Sequence, residues 1–271
     1  MQIVLNGRIK LEGSVLALGM FDGVHIGHRV LLKRAKALAL QQNVPMVVCT
    51  FASHPMMTIA PEKCPPMLST FDERAELLRE QGVDVLYAMP FDSETMDMLP
   101  EEYIGELIRR FHPMAVVCGY NHSFGKKGGG SPALLAAIGD ALGYSTEIVP
   151  KIMLDGHDVS STVVRGALRR GDVTHARALL ARPYARGAKM ESRDENGISI
   201  ALLENGKQDI AFGLYRMLWK QKGHTYPAVL ELLQDEKHGI MRLPSDLEIS
   251  GEGIVQFVSR ADGHACTKEQ M

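Results

Sequence analysis

The sequence predicts an α/β fold, a Rossmann-like parallel sheet covered on both faces, followed by a smaller, mainly β region. Two observations carry this. Over roughly the first two thirds of the chain, short apolar, β-branched runs alternate with amphipathic stretches, and from Gly187 onward they give way to strand-like runs separated by Asn-Gly and Gly-rich turns. A length of 271 residues fits one main domain plus a small one.

Taken in order, SVLALG (14–19) reads as a strand, residues 28 to about 41 as a helix and MVVCTF (46–51) as the next strand. A helix around ERAELLREQG, a strand at VDVLYAM, a helix over about 101–111, a strand at MAVVCG, a helix around PALLAAIGDALG and a strand at STEIVPKI follow. Five strands with helices between them imply parallel pairing. Two short helices are expected at about 162–170 and 173–180. Beyond them ISIALL, DIAFGLYRMLWK, YPAVLEL and GIVQFVS form hairpin-rich β structure. The change of texture at RPYARG places the domain cut there, giving 1–186 and 187–271.

Lys and Arg number 30 against 32 Asp and Glu, so no whole-molecule field recruits nucleic acid or an anionic membrane, and any anion site must be local. No apolar run approaches the roughly 20 residues of a bilayer span, and the opening MQIVLNGRIKLEG lacks the layout of a signal peptide. A cytoplasmic location is expected, with Cys49, Cys64, Cys118 and Cys266, which show no CxxC spacing, reduced and structural.

The densest chemical signal is LGMFDGVHIGHRVLL, where the first predicted strand runs into the first helix. At the carboxyl end of a parallel strand, free N–H groups and the helix dipole attract anions. Gly19 and Gly23 permit a tight turn and close approach to a ligand, and His25 and His28 lie three apart on one side of the first helical turn. That arrangement suits hydrogen bonds to adjacent phosphoryl oxygens. The alternatives are a zinc site, for which no third ligand offers itself locally, and a plain capping or solvated histidine pair. Between residues 160 and 190, Arg165, Arg169, Arg170, Arg177, Arg182, Arg186 and Lys189 face one acid, Asp172, a local excess that suits a triphosphate. Within SSTVVR, Ser160, Ser161 and Thr162 supply hydroxyls for capping or phosphate, with Arg165 a turn further on. Solvated arginines are the competing explanation, strongest for Arg177 and Arg186.

GMFDGVHIGH resembles the HxGH signature of the adenylyltransferase superfamily, and FDGVH is similar to the bacterial bifunctional riboflavin kinase/FAD synthetase family. CTFASHPMMTIAP, LSTFDERAELLREQGVDVLYAMPF, VVCGYNHSFGKKGGG and VSSTVVRGALRRGDVTHARALLARPYARG agree in order, so the resemblance covers about residues 14–187. It implies an FMN adenylyltransferase that joins FMN to the AMP of ATP, with Mg²⁺ entering alongside ATP and FAD and pyrophosphate as products. By the same resemblance Gly19, Phe21, Asp22, Gly23, Ser161, Thr162 and Arg165 bind ATP. Phe51, Ser53, Pro55, Ile59, Asn121 and Phe124 border the flavin, and His25, His28, Asn121 and Arg165 serve catalysis. Residues 128–130 suggest a mobile flap. His122 and Ser123 depart from the aromatic or Phe-Arg pair of many relatives, and Ile59 replaces a frequent aromatic. Magnesium ligands are not specified.

In the resembled family the second domain is a β-barrel kinase with a Pro-Thr-Ala-Asn segment for Mg-ATP and a late glutamate base. Neither is present after Gly187, although FGLYRMLWKQKGHTYPAVLEL retains a faint likeness to a barrel stretch. A shortened barrel without kinase activity is expected, with Phe212, Leu214, Tyr215, Leu218 and Trp219 as its core or as a packed face. An intact bifunctional enzyme, a sister adenylyltransferase with another phosphate acceptor and a catalytically silent flavin or nucleotide sensor are the competing readings.

Overall fold

The alternating first part folds into one six-stranded sheet and the last part into a closed barrel. The computed structural model describes residues 1–5, 9–193, 198–235, 238–243 and 251–261. In chain order the first elements are β1 (Gln2–Leu5), β2 (Ser14–Leu18), α1 (Ile26–Gln42), β3 (Met46–Phe51), α2 (Met56–Ile59), α3 (Phe71–Glu80), β4 (Val85–Met89), α4 (Ser93–Asp97), α5 (Pro100–Phe111), β5 (Pro113–Gly119), α6 (Pro132–Leu142), β6 (Ser145–Val149) and the small antiparallel pair β7 (Met153–Leu154) and β8 (His157–Asp158). The sheet order is β1-β4-β3-β2-β5-β6, with every pairing parallel. The strand missing from the sequence reading is β1. It has only four residues, lies at the edge, and its partner β4 is remote in sequence.

Both faces of the sheet are covered, so β2 and β4 are buried at every position and alternate residues serve opposite layers. Val15, Ala17, Met46, Val48, Ala115 and Val117 pack with Leu31, Leu32, Leu38 of α1 and Ala75, Leu78 of α3. On the other face, Leu16, Leu18, Val47, Cys49, Val116 and Cys118 pack with Tyr103, Ile104, Leu107, Phe111 of α5 and Leu135 of α6. A fully buried Leu such as Leu16 contributes roughly 1.5 to 3 kcal/mol. Burial drives the thiols of Cys49 and Cys118 up, the latter to about 11, so both behave as small hydrophobes. Cys266 lies outside the described residues.

The chain divides by compactness into Met1–Val159 and Ser160–Met271. The second unit holds α7 (Ser161–Arg169), α8 (Val173–Leu180), β9 (Tyr184–Arg193), β10 (Ile198–Leu203), β11 (Gly213–Gln221), β12 (His224–Leu232), β13 (His238–Arg242) and β14 (Gly251–Arg260). The strands close in the order β10-β13-β12-β11-β14-β9. By pattern α7 and α8 continue the α/β series, yet α8 packs on β9 and β14 of the barrel, so the compact unit begins before the change of texture at 186/187. That change falls within β9, whose small and charged residues give no strand pattern.

In β11 the two-residue period of a strand overrides the expected stripe. Tyr215, Met217 and Trp219 point inward and are fully covered, Leu214 and Leu218 are half-buried, and Phe212 is 53% exposed. Arg186 is corrected as well: it is neither solvated nor part of a surface patch. It is fully buried, ion-paired to Asp209 at 2.8 Å, and donates to the Glu204 carbonyl.

Candidate functional site

In the main sheet the chain leaves β2 toward β3 and β4 on one side and toward β5 and β6 on the other. The carboxyl ends of β2 and β5 therefore flank the topological switch point, where ligands bind in open α/β sheets. Leu18 is paired with Cys118, which brings the loop after Gly19 beside the loop after Gly119. Residues 51–59 leave the next strand, β3, at the same edge.

The loop from Met20 to His25 is strained and heavily braced. Phe21 (φ 53°), Gly23 (φ 71°) and Val24 (φ 39°) all occupy the left-handed region, which costs a non-Gly residue on the order of 1 to 3 kcal/mol. The Asp22 carboxylate accepts from the Leu68 N–H (2.9 Å), the Ser69 N–H (3.1 Å) and the Ser69 hydroxyl, and Gly23 N–H donates back to Ser69 Oγ (3.1 Å). Arg74, 1% exposed, donates to the carbonyls of Met20 (3.0 Å), Phe51 (2.7 Å) and Ala52 (3.1 Å). Burial lowers the Arg74 pKa and the Asp22 charge opposes that shift, so the guanidinium ties the β2 and β3 exits together as a cation.

These contacts give two residues a structural role. Phe21 and Asp22, assigned to ATP by resemblance, are buried, and their side chains hold the loop from within. Arg74 and Ser69 do the bracing and were not singled out from sequence. A signal for Arg74 was present: on α3 it sits three after Phe71 and four before Leu78, a charge on the apolar face.

His25 is the N-cap of α1, and its Nδ1 accepts from the His28 N–H at 3.3 Å. An accepting Nδ1 leaves the proton of the neutral ring on Nε2, a donor suited to a phosphoryl oxygen. Gly27 makes the cap possible, since a Cβ there would stand 3.2 Å from the His25 ring. The two imidazoles stack at 3.7 Å with 14° between planes, and His28 also meets Phe21 at 5.2 Å. Burial first, then the closeness of His25 and Arg74, which would repel a second positive charge, hold His28 well below the usual histidine range. Its Nδ1 is sealed from solvent without a hydrogen-bond partner.

Beyond β5, Asn121 is exposed, with its Oδ1 next to Gly119. Phe124 is buried, stacked on Tyr103 at 5.5 Å, and bridges to Gly130. The expected flap is pinned at its base: the Lys126 N–H donates to the Met98 carbonyl and its ammonium pairs with Asp97, both near 2.8 Å. Beyond β3, Phe51 meets Phe91 edge-on at 5.2 Å, Ser53 is exposed and Pro55 half-buried. His54 Nδ1 accepts from the Met56 N–H to start α2, leaving Met57 and Ile59 each 54% exposed. The structure thus gathers Gly19, Gly23, His25, His28, Phe51, Ser53, Pro55, Asn121 and Phe124 along one sheet edge.

Ser161, Thr162 and Arg165 belong to the second unit. There Ser160 supplies the cap of α7, its Oγ accepting from the Val163 N–H at 3.3 Å; Ser161 is half-buried, Thr162 exposed and Arg165 6% exposed. Among the described residues no three His, Cys, Asp or Glu side chains come together as a metal-ligand set, and no helix is long and apolar enough to cross a membrane.

The depressed histidines set a pH dependence. His122, drawn down to about 4 by burial, and His28 both refuse protons that the unfolded chain accepts near pH 6.5. Stability is therefore full above 6.5 and falls as pH drops toward 4. Melting curves between pH 7.5 and 4.5 are expected to show a loss on the order of 1 to 2 kcal/mol from His122, a slope that His122→Phe flattens. A variant with the wild-type slope would assign the loss elsewhere.

Residues 8–163 match a family model described as FAD synthetase. The chain is 33% identical to a bifunctional riboflavin kinase/FMN adenylyltransferase of Listeria monocytogenes over 69% of its own length and 60% of that relative's. It is 29% identical to the Bacillus subtilis enzyme of the same name over 81% and 71%, and 31% identical to that of Escherichia coli over 70% and 61%. The chain thus spans about three fifths of the length of the Listeria relative. A crystal structure of a macrolide-efflux protein from Streptococcus pneumoniae superposes with a TM-score of 0.87 at 23% identity, covering 96% of this chain and 90% of that one, a likeness of fold alone.

Proposed function

Since the chain belongs to the FAD synthetase family, we propose that it transfers the AMP part of Mg-ATP to FMN, giving FAD and pyrophosphate. The observation that carries this reading is the stacked His25–His28 pair at the start of α1, on the β2 side of the switch point. An FMN phosphate is already largely dianionic at neutral pH, with a second pKa of about 6. Its oxygen attacks the α-phosphorus of ATP directly, the bond from that phosphorus to the bridging oxygen breaks, and pyrophosphate leaves. No general base and no covalent enzyme intermediate is needed. Catalysis is positioning plus charge stabilisation, for which the neutral imidazoles supply donors and the braced loop supplies preorganisation. Arg165 is proposed to bind ATP, and Mg²⁺ arrives as part of Mg-ATP. A cytoplasmic location is proposed with this reading.

Phe51, Pro55, Asn121 and Phe124 are proposed to border the flavin, with the exposed Met57 and Ile59 as an apolar face for a planar ring. We further propose that the barrel has no riboflavin kinase activity. No Pro-Thr-Ala-Asn segment is present. The stretch after β10 is instead tied down on β9: Lys207 donates to the Ala185 carbonyl (2.6 Å) and the Tyr184 hydroxyl to the Gln208 carbonyl (2.7 Å).

Purified protein incubated with Mg-ATP and, separately, FMN, riboflavin, nicotinamide mononucleotide and phosphopantetheine tests both statements. The expected product is FAD from FMN, with no FMN formed from riboflavin. Adenylylation of another acceptor without FAD would move the assignment to a sister transferase, and FMN from riboflavin would restore the bifunctional reading.

A further inference from the structure

His122 presents a polar atom that the fold itself does not use. The Tyr120 N–H donates to the Val149 carbonyl (2.9 Å) and the His122 N–H to the Gly119 carbonyl (3.0 Å), a tight turn that lays the His122 ring against Phe124 at 5.6 Å and 26°. Phe124 in turn stacks on Tyr103, so three rings form a ladder from the buried Tyr103 out to the half-buried His122. Nε2 of His122 is sealed from solvent without a hydrogen-bond partner. A phenylalanine would complete the ladder without leaving a buried nitrogen unsatisfied, so packing alone disfavours histidine here. The ring directly follows Asn121, in the loop that the β2–β5 pairing sets beside the His25–His28 loop.

We infer that His122 is a specificity residue for the acceptor: its face extends the aromatic wall, and a half-turn of the ring about the Cβ–Cγ bond, which keeps its plane against Phe124 and breaks no hydrogen bond of Nε2, carries Nε2 out of its sealed position to bond the polar edge of the flavin ring. The inference rests on the flavin reading above. An isoalloxazine offers a flat face for stacking and an edge bearing carbonyl oxygens and an imide N–H, and a neutral imidazole nitrogen is able to accept from the imide or donate to a carbonyl. Binding then satisfies an atom that is unsatisfied in the free protein, and the free protein bears the cost.

The test compares wild type, His122→Phe and His122→Gln with FMN and riboflavin as probes of the ring. The Phe variant is expected to melt at or above the wild-type temperature yet bind both flavins about tenfold more weakly, a hydrogen bond's worth. The loss should show more in KM for FMN than in kcat and should not extend to KM for ATP. Gln, which places a polar atom near the same point, should recover most of the affinity. Independently of any variant, the His122 imidazole nitrogen resonances of the wild type should shift on adding FMN or riboflavin and stay put on adding ATP alone. Flavin affinities within twofold of wild type in the Phe variant, or unmoved resonances, would overturn the inference while FAD formation by the wild type left the flavin reading standing. A wild type that makes no FAD would overturn both.

Discussion

Replacing His28 by alanine is expected to lower turnover by two to three orders of magnitude while FMN binding changes little. Removing one preorganised donor to a transition-state oxyanion costs about 3 to 4 kcal/mol, and alanine also removes the ring stacked on His25. Arg165→Ala is expected to show a loss of the same order. Steady-state kinetics with FMN and Mg-ATP, alongside a melting curve to show that each variant is folded, decide the matter. Near-normal kcat in both variants would place these residues away from the reacting phosphate.

The largest stability effect is expected at a residue that does no chemistry. Arg74→Met should destabilise the first unit by about 3 to 5 kcal/mol, because it leaves Asp22 buried without its countercharge and removes the guanidinium bonds to three carbonyl groups, of which Met20 alone keeps a bond from the Thr50 hydroxyl. For a chain of this size that corresponds to a fall in Tm of roughly 10 °C. Arg74→Lys retains the charge but is unable to reach Met20, Phe51 and Ala52 together, so it should recover only part of the loss. A Met variant melting within about 2 °C of wild type would show that the strained loop is held by other contacts.

What was legible in the sequence follows from how local each signal is. Strands β2 to β5 stand out because both faces of the sheet are covered, which makes each strand a nearly continuous apolar run with turn residues at its ends. β1, β9 and β13 lack that signature: β1 has four residues, β13 (HGIMR) buries only alternate positions, and β9 buries Arg186 through an ion pair instead of an apolar side chain. The histidine pair was legible for the same reason, since its geometry depends on a cap and a first turn only three residues long. The roles of Phe21, Asp22 and Arg74 were not. Asp22 meets Leu68 and Ser69 from 46 and 47 residues away and Arg74 meets Met20 from 54, so only the folded sheet reveals that the side chains of a conspicuous FDG motif also brace the loop. The Tyr103–Phe124–His122 ladder likewise joins α5 to the loop after β5, which no spacing rule connects.

The most direct measurement follows the two ends of ATP. With FMN as acceptor and ATP labelled either at the α-phosphate or at the γ-phosphate, the α label is expected to appear in FAD and the γ label in pyrophosphate, in equal amounts and only when Mg²⁺ is present. A γ label entering the flavin, or an α label that never leaves ATP while FMN is bound, would contradict adenylyl transfer at the His25–His28 site.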